Sequence, residues 1–350
     1  MQLPRSLIAP VANPVLEQAL RQKLARRGET TGRFGELEPL GVQLGLIQNT
    51  LKPAFEAPQI VVFAADHGLA IDGAAVSARH SSDELVQMLL ALQLPLGVFA
   101  RIQGMQLSVV DGGLAETLAP HPTLLVRKIA HGTRSSRAGP AMSPEQVDGA
   151  IRAGMDIGES LPGNAVACAG IGVGSHETAA LVLARLGGAQ LPELLGAPGT
   201  AKQPLPQLLD VLQSVQTRHK EATGPLAVLG AFGGFEISMM AGLMLTAASR
   251  RHLIVIDGIP ACAALMVASH LAPSVTDYCV HCRSHTHPGL DTALGLFNTT
   301  ALLELGIDSI DGTGATLAWP LMRSAAALLT DVAEPEAPGA RVTNTLPPLH

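Results

Sequence analysis

Gln59–Gly68 reads QIVVFAADHG, an uncharged apolar run followed by an acid, a histidine and a glycine. A continuous Val/Ile/Phe run of this length suits a strand buried on both faces, as in a parallel sheet. Comparable runs recur at Leu107–Val110, Leu124–Ile129, Ala165–Ala169, Leu226–Leu229, Leu253–Ile256 and Val275–Val280. Between them, helical spacing predicts helices at Asp83–Leu92, Pro144–Glu159, Thr178–Leu186, Leu205–Lys220, Phe235–Ser249, Pro260–His270 and Leu290–Leu305. Ahead of the first strand, Val15–Arg27 and Leu37–Leu51 read as amphipathic helices, and Gly187–Gln203 as a surface loop. Strand followed by helix, repeated, gives an α/β chain with a mostly parallel sheet and helices on both faces.

Ligands of such sheets sit at the carboxyl ends of the strands. Here those ends carry Asp66-His67-Gly68, Asp111-Gly112-Gly113, Gly170-Ile171-Gly172 and Asp257-Gly258. A single Asp-Gly is a turn; several on one rim also suit a site. Gly170–Ser175, GIGVGS, lacks the third glycine of a dinucleotide fingerprint, since Ser175 stands in its place. Its amides and the helix start after them still suit a phosphate. In Ile307–Met322, IDSIDGTGATLAWPLM, Asp311 precedes Gly312-Thr313-Gly314 and a helix-forming run. Asp311 reads either as a helix cap or as an acid facing an anion-friendly helix start.

The 350 residues carry a net charge of −6, with 47% hydrophobic, 15% charged and only 3% aromatic residues. That composition excludes a disordered chain and argues against nucleic acid, for want of a basic block and of stacking aromatics. No apolar run is read as a membrane span, and the proline-broken N-terminus lacks a signal-peptide core, so the expectation is a cytoplasmic protein. Cys279, Cys282, His285 and His287 have the ligand types of a zinc site but crowd into nine residues, so they read better as a polar loop. The expectation is no metal and no cofactor. The tail beyond Glu334 reads as poorly ordered.

The order of motifs resembles the nicotinate-nucleotide–dimethylbenzimidazole phosphoribosyltransferase family, which makes the lower-ligand nucleotide of cobalamin. The resemblance runs through Gly32–Glu38, Ala65–Gly68, Val76-Ser77, Gln87-Met88, Lys128, Gly132-Thr133, Gly139–Met142 and Gly170–Gly172. It continues through Gly233–Ile237, Val255–Gly258, Arg283-Ser284, Pro288-Gly289 and Gly312–Ala315. It implies a Rossmann-like large domain over residues 56–300. A smaller helical domain would combine residues 1–55 with 301–333, leaving 334–350 as a tail, in a homodimer.

It further implies an enzyme acting on small molecules. Phosphoribose would pass from nicotinate mononucleotide to 5,6-dimethylbenzimidazole or a related base, releasing nicotinate and giving an α-ribazole phosphate. Asp311 takes the place of the family's catalytic glutamate, as a base whose pKa partial burial would raise. The base pocket maps to Ser77, Gln87 and Met88. Phosphate and ribose contacts map to Gly170, Gly172, Gly174, Ser175, Gly233, Gly234, Asp257, Ser284 and Gly312. The chain departs from the family at Asp311, at Asp308 where arginine is common, and at His287 where the loop usually has glutamate. These departures leave open a non-catalytic or altered-specificity relative that binds a nucleotide or base.

Overall fold

The computed structural model describes residues 8–73, 80–196 and 205–333. The chain opens with helices α1 (Pro14–Thr31) and α2 (Leu37–Ile47), then strand β1 (Gln59–Ala65). The short α3 (Gly68–Ile71), α4 (Ser82–Leu90) and α5 (Pro95–Ile102) lead to β2 (Gln106–Gly113) and β3 (Leu124–Val126). Then come α6 (Pro144–Ser160), β4 (Ala165–Ile171), α7 (Ser175–Gly187), α8 (Leu191–Leu195), α9 (Leu205–Arg218), α10 (Pro225–Phe232) and α11 (Phe235–Ser249). The last part is β5 (Leu253–Asp257), α12 (Ile259–Leu271), a 3-10 turn (Pro273–Tyr278), β6 (Cys279–Cys282), α13 (Pro288–Gly295) and α14 (Thr313–Thr330).

The strands pair in parallel in the order β3-β2-β1-β4-β5-β6, the doubly wound arrangement expected of buried apolar strands. All residues of β1 and β4, its neighbour, are buried. Strand order reverses between these two, which opens a crevice at their carboxyl ends. Helix starts follow local chemistry: Ser81 with Glu84 and Ser143 with Gln146 form capping boxes that open α4 and α6.

Some sequence expectations fail, each for a local reason. Leu226–Leu229 lies inside helix α10, because a short apolar run does not separate buried strand from buried helix, and Pro225 starts the helix. The run at Val275–Val280 is mostly the 3-10 turn, and the strand is Cys279–Cys282. The helix expected over Leu290–Leu305 stops at Gly295, where Asn298 adopts a φ of 53°. Within Gly187–Gln203, Leu191–Leu195 is helical, and residues 197–203 lie outside the described residues. Ser82–Ile102 does have the length and composition of a membrane span, contrary to expectation. It is divided into α4 and α5 by Leu92 at a φ of 55° and by Pro95. Neither piece, at about 1.5 Å per residue, approaches a bilayer's width.

Two compact units can be distinguished. The larger holds residues 8–11 and 55–320, including the whole sheet. The smaller holds residues 12–54 and 321–333 of the described chain. Its core is Leu20, Val42 and Leu329, and Arg27 Nη1 donates to the Leu328 carbonyl at 2.8 Å.

In the larger unit, α6 and α11 pack backbone to backbone. A Cβ at Gly154 would lie 1.9 Å from the Met239 carbonyl oxygen, and one at Gly242 would lie 2.1 Å from that of Ile151. Backbone cannot move aside as a side-chain tip can. Gly154→Ala and Gly242→Ala should therefore each cost about 1–3 kcal/mol in urea unfolding. Gly149→Ala, on the same helix with only the Ile129 side chain near at 3.8 Å, should be neutral or stabilising by up to about 1 kcal/mol.

Candidate active site

Buried polar side chains stand at the crevice between β1 and β4. Just past β1, Asp66 accepts from Ser82 Oγ at 2.5 Å and from the Ala115 amide at 2.7 Å. His67, beside it, is buried with Nε2 3.0 Å from Glu236 Oε1 and Nδ1 3.2 Å from the Thr178 hydroxyl. Ser175 Oγ donates to Glu236 at 2.8 Å. Burial alone would push the His67 pKa down. The charge and contact of Glu236 outweigh burial, and the pKa stands above the ordinary histidine value.

Gly172, Gly174 and Gly234 border His67, and Gly233–Gly234 follows helix α10 and not a strand. A Cβ at Gly234 would lie 2.2 Å from Glu236 Oε2 and 2.4 Å from His67 Cε1, and one at Gly172 would lie 2.2 Å from the Ala65 carbonyl oxygen. Gly174 turns the chain into α7, and Gly170, next to last in β4, lies against Pro260. The carboxylate at this helix start is therefore internal: Glu236.

The same holds at the start of α14. Asp257 ends β5 with no exposed surface, and its Oδ2 accepts from Ser284 Oγ at 2.7 Å and from the Ala315 amide at 2.8 Å. Ser284, equally buried, accepts from the Gly314 amide at 2.8 Å. Asp257 Oδ1 has no partner among the described residues. Burial, and then the negative charge of Asp311, raise the Asp257 pKa to about 7. As they stand, Asp257 and Ser284 serve each other and the helix start, not an open anion pocket.

Asp311 lies just ahead of this turn, which Gly312 makes at a φ of 92°. Its Oδ1 is 3.0 Å from His285 Nε2, and its Oδ2 is 3.9 Å from His176 Nε2. Gly258, at a φ of 99°, leaves the room: a Cβ there would lie 2.1 Å from Asp311 Oδ2. Burial would raise the Asp311 pKa as the sequence suggested, but the two imidazoles outweigh it and hold the carboxyl at about 2. The carboxylate with a raised pKa is Asp257, not Asp311. His285 moves the other way: burial lowers it, but Asp311, aided by Asp257 and the exposed Asp308, brings it above the ordinary value.

Of the expected base pocket, Ser77 lies outside the described residues. Gln87 is exposed and Met88 half-buried on α4, and no hydrogen bond joins either to Asp311. The Cys279–His287 run separates. Both cysteines are buried, with thiol pKa values pushed well up by burial. His287 accepts from the Gly289 amide at 3.0 Å, and burial lowers its pKa to about 4. The three rings of His176, His285 and His287 lie with centroids 5.4–6.0 Å apart. His176 is not among the site residues expected from the sequence. The available signal was its place directly after the Gly170–Ser175 strand end, on the same rim as Asp311.

The His67–Glu236 pair generates a stability prediction. A buried group whose folded pKa exceeds its unfolded value of about 6.5 stabilises fully below that pH and loses the effect as pH rises through the folded value. Glu236→Gln removes the partner charge and should cost on the order of 3 kcal/mol at pH 6. The gap from wild type should shrink toward pH 9, as read by urea unfolding at both pH values. A gap constant or growing with pH would exclude the assignment.

A family model described as "Phosphoribosyltransferase" matches residues 9–339. The nicotinate-nucleotide–dimethylbenzimidazole phosphoribosyltransferase of Variovorax paradoxus (strain S110) is 38% identical over 333 residues, covering 95% of each chain. The protein of the same name from Cupriavidus taiwanensis is 40% identical over 324 residues, covering 91% of this chain and 92% of its own. A crystal structure of that enzyme from Thermus thermophilus superposes with a TM-score of 0.81 at 29% identity, covering 91% of this chain and 96% of that one. This chain belongs to the phosphoribosyltransferase family that those proteins share.

Proposed function

We propose that this chain transfers phosphoribose from nicotinate mononucleotide to 5,6-dimethylbenzimidazole or a related azole, releasing nicotinate and forming an α-ribazole phosphate. One azole nitrogen attacks the anomeric carbon as the bond from that carbon to the pyridine nitrogen breaks. The bonding electrons return to nicotinate, which leaves with an uncharged ring nitrogen. The proton on the other azole nitrogen must then go to the protein.

The observation that carries this reading is the Asp311–His285 contact of 3.0 Å on the carboxyl rim of the sheet. Asp311 alone, held at about 2, is a weak base. The pair is a stronger one. When His285 is neutral, a proton delivered to the pair ends as imidazolium beside carboxylate, so the pair's basicity is set by the raised His285 value. Asp311 faces the acceptor, and His285 keeps the proton.

The other reading, a relative that binds without transfer, draws on one feature: Asp257, Ser284 and Glu236 already occupy the helix starts expected to hold phosphate. Purified protein with nicotinate mononucleotide and a panel of azoles separates the two by nicotinate release. Binding without release with any acceptor favours the second reading. For the first, wild-type kcat/KM should rise with pH through a value above 6.5. Asp311→Asn should lower the rate about 10²–10⁴-fold. It should also move the acid limb downward, because His285 loses the charge that raises its pKa. An unshifted limb would remove Asp311 from the proton path.

A further inference from the structure

We propose that His176, His285 and Asp311 form a binding site for a divalent cation of the zinc type, which reverses the sequence expectation of no metal. Their donor atoms, two Nε2 and a carboxylate oxygen, all lie within 4.8 Å of one another. The imidazoles address opposite oxygens of one carboxylate, at 3.0 and 3.9 Å. Zinc bonds of about 2.0–2.2 Å need donors roughly 3.4 Å apart in a tetrahedral site, so only the His176 side must close, by less than about 1.5 Å. His176 is also the member free to move, with a side chain 39% exposed against 10% for His285 and 4% for Asp311. Two imidazoles and one carboxylate leave a coordination position open.

The charge around the cluster asks for a cation as well. Asp257 and Asp311 are both buried, and the Asp311 charge acts on Asp257. Asp257 Oδ1 has no hydrogen-bond partner among the described residues. The nearby guanidinium of Arg283 is committed to Asp291 at 2.9 Å and Glu304 at 2.7 Å. His287, its Nδ1 accepting from the Gly289 amide, stands beside the cluster outside the donor set. The cysteines that made this region look metal-binding in sequence take no part.

A cation here would occupy the lone pairs with which the Asp311–His285 pair accepts the acceptor's proton. Transfer would then slow as zinc rises and recover with a chelator; this consequence rests on the proposed reaction, whereas binding does not. The test uses the full chain stripped of metal, equilibrium dialysis against zinc chloride, and visible absorption with cobalt(II). Wild type should bind one zinc per chain and give a cobalt absorption band. His176→Ala, at a partly exposed position, should weaken binding at least tenfold and lose the band. His121→Ala, exposed and away from the rim, should match wild type. Absence of stoichiometric binding by wild type, or equal binding by His176→Ala, overturns the site. Zinc bound at His176 with nicotinate release undiminished overturns only its effect on transfer. Zinc bound with no release under any condition supports the site while counting against the proposed reaction.

Discussion

Asp257 is an ionisable group with no exposed surface, and the carboxyl rim of the sheet is built around what that costs. An unpaired buried carboxylate is expensive. Here it is met by a hydroxyl from the segment after β6 and by an amide at the start of α14, where the helix presents partial positive charge. Three separate pieces of chain are held by that one carboxylate. Compensation is incomplete, which is why burial and Asp311 still drive its pKa to about 7. Glu236 is likewise buried, with the hydroxyl of Ser175, the first residue of α7, and His67 as partners. Helix starts of this kind invite anions, and this protein supplies its own.

The two carboxylates of the rim are thereby pushed apart, Asp257 up to about 7 and Asp311 down to about 2. Environments that separate neighbouring acids in this way assign them different work. Asp257, enclosed, holds the turn together. Asp311 keeps its charge because two imidazoles stand against it. His285 and His176 reach its two oxygens from different elements, while Gly258 leaves room for the second of them.

How far the sequence could be read depended on the kind of information each feature needed. Strand β1 is Gln59–Ala65 as its apolar run suggests, because a strand buried on both faces has no other composition available. Leu226–Leu229 misled because four apolar residues fit a buried helix equally well. Asp311 was legible through the glycine turn beside it. His176 was not, because its relation to Asp311 exists only once β4 and β5 lie side by side. The sign of the Asp311 shift was hidden for the same reason: burial can be guessed locally, but the opposing imidazoles cannot.

In a doubly wound sheet the reversal between β1 and β4 is the usual ligand position. Here His67, Glu236, Thr178 and Ser175 stand at it as a buried hydrogen-bonded group. The candidate site lies further along the rim, past β4 and β5 to the segment after β6. His176 starts from the end of β4, Gly258 from the end of β5 and His285 from just past β6, and all three converge on Asp311. The half-exposed His176 is the outermost of them, so whatever approaches the carboxylate from solvent meets that imidazole first.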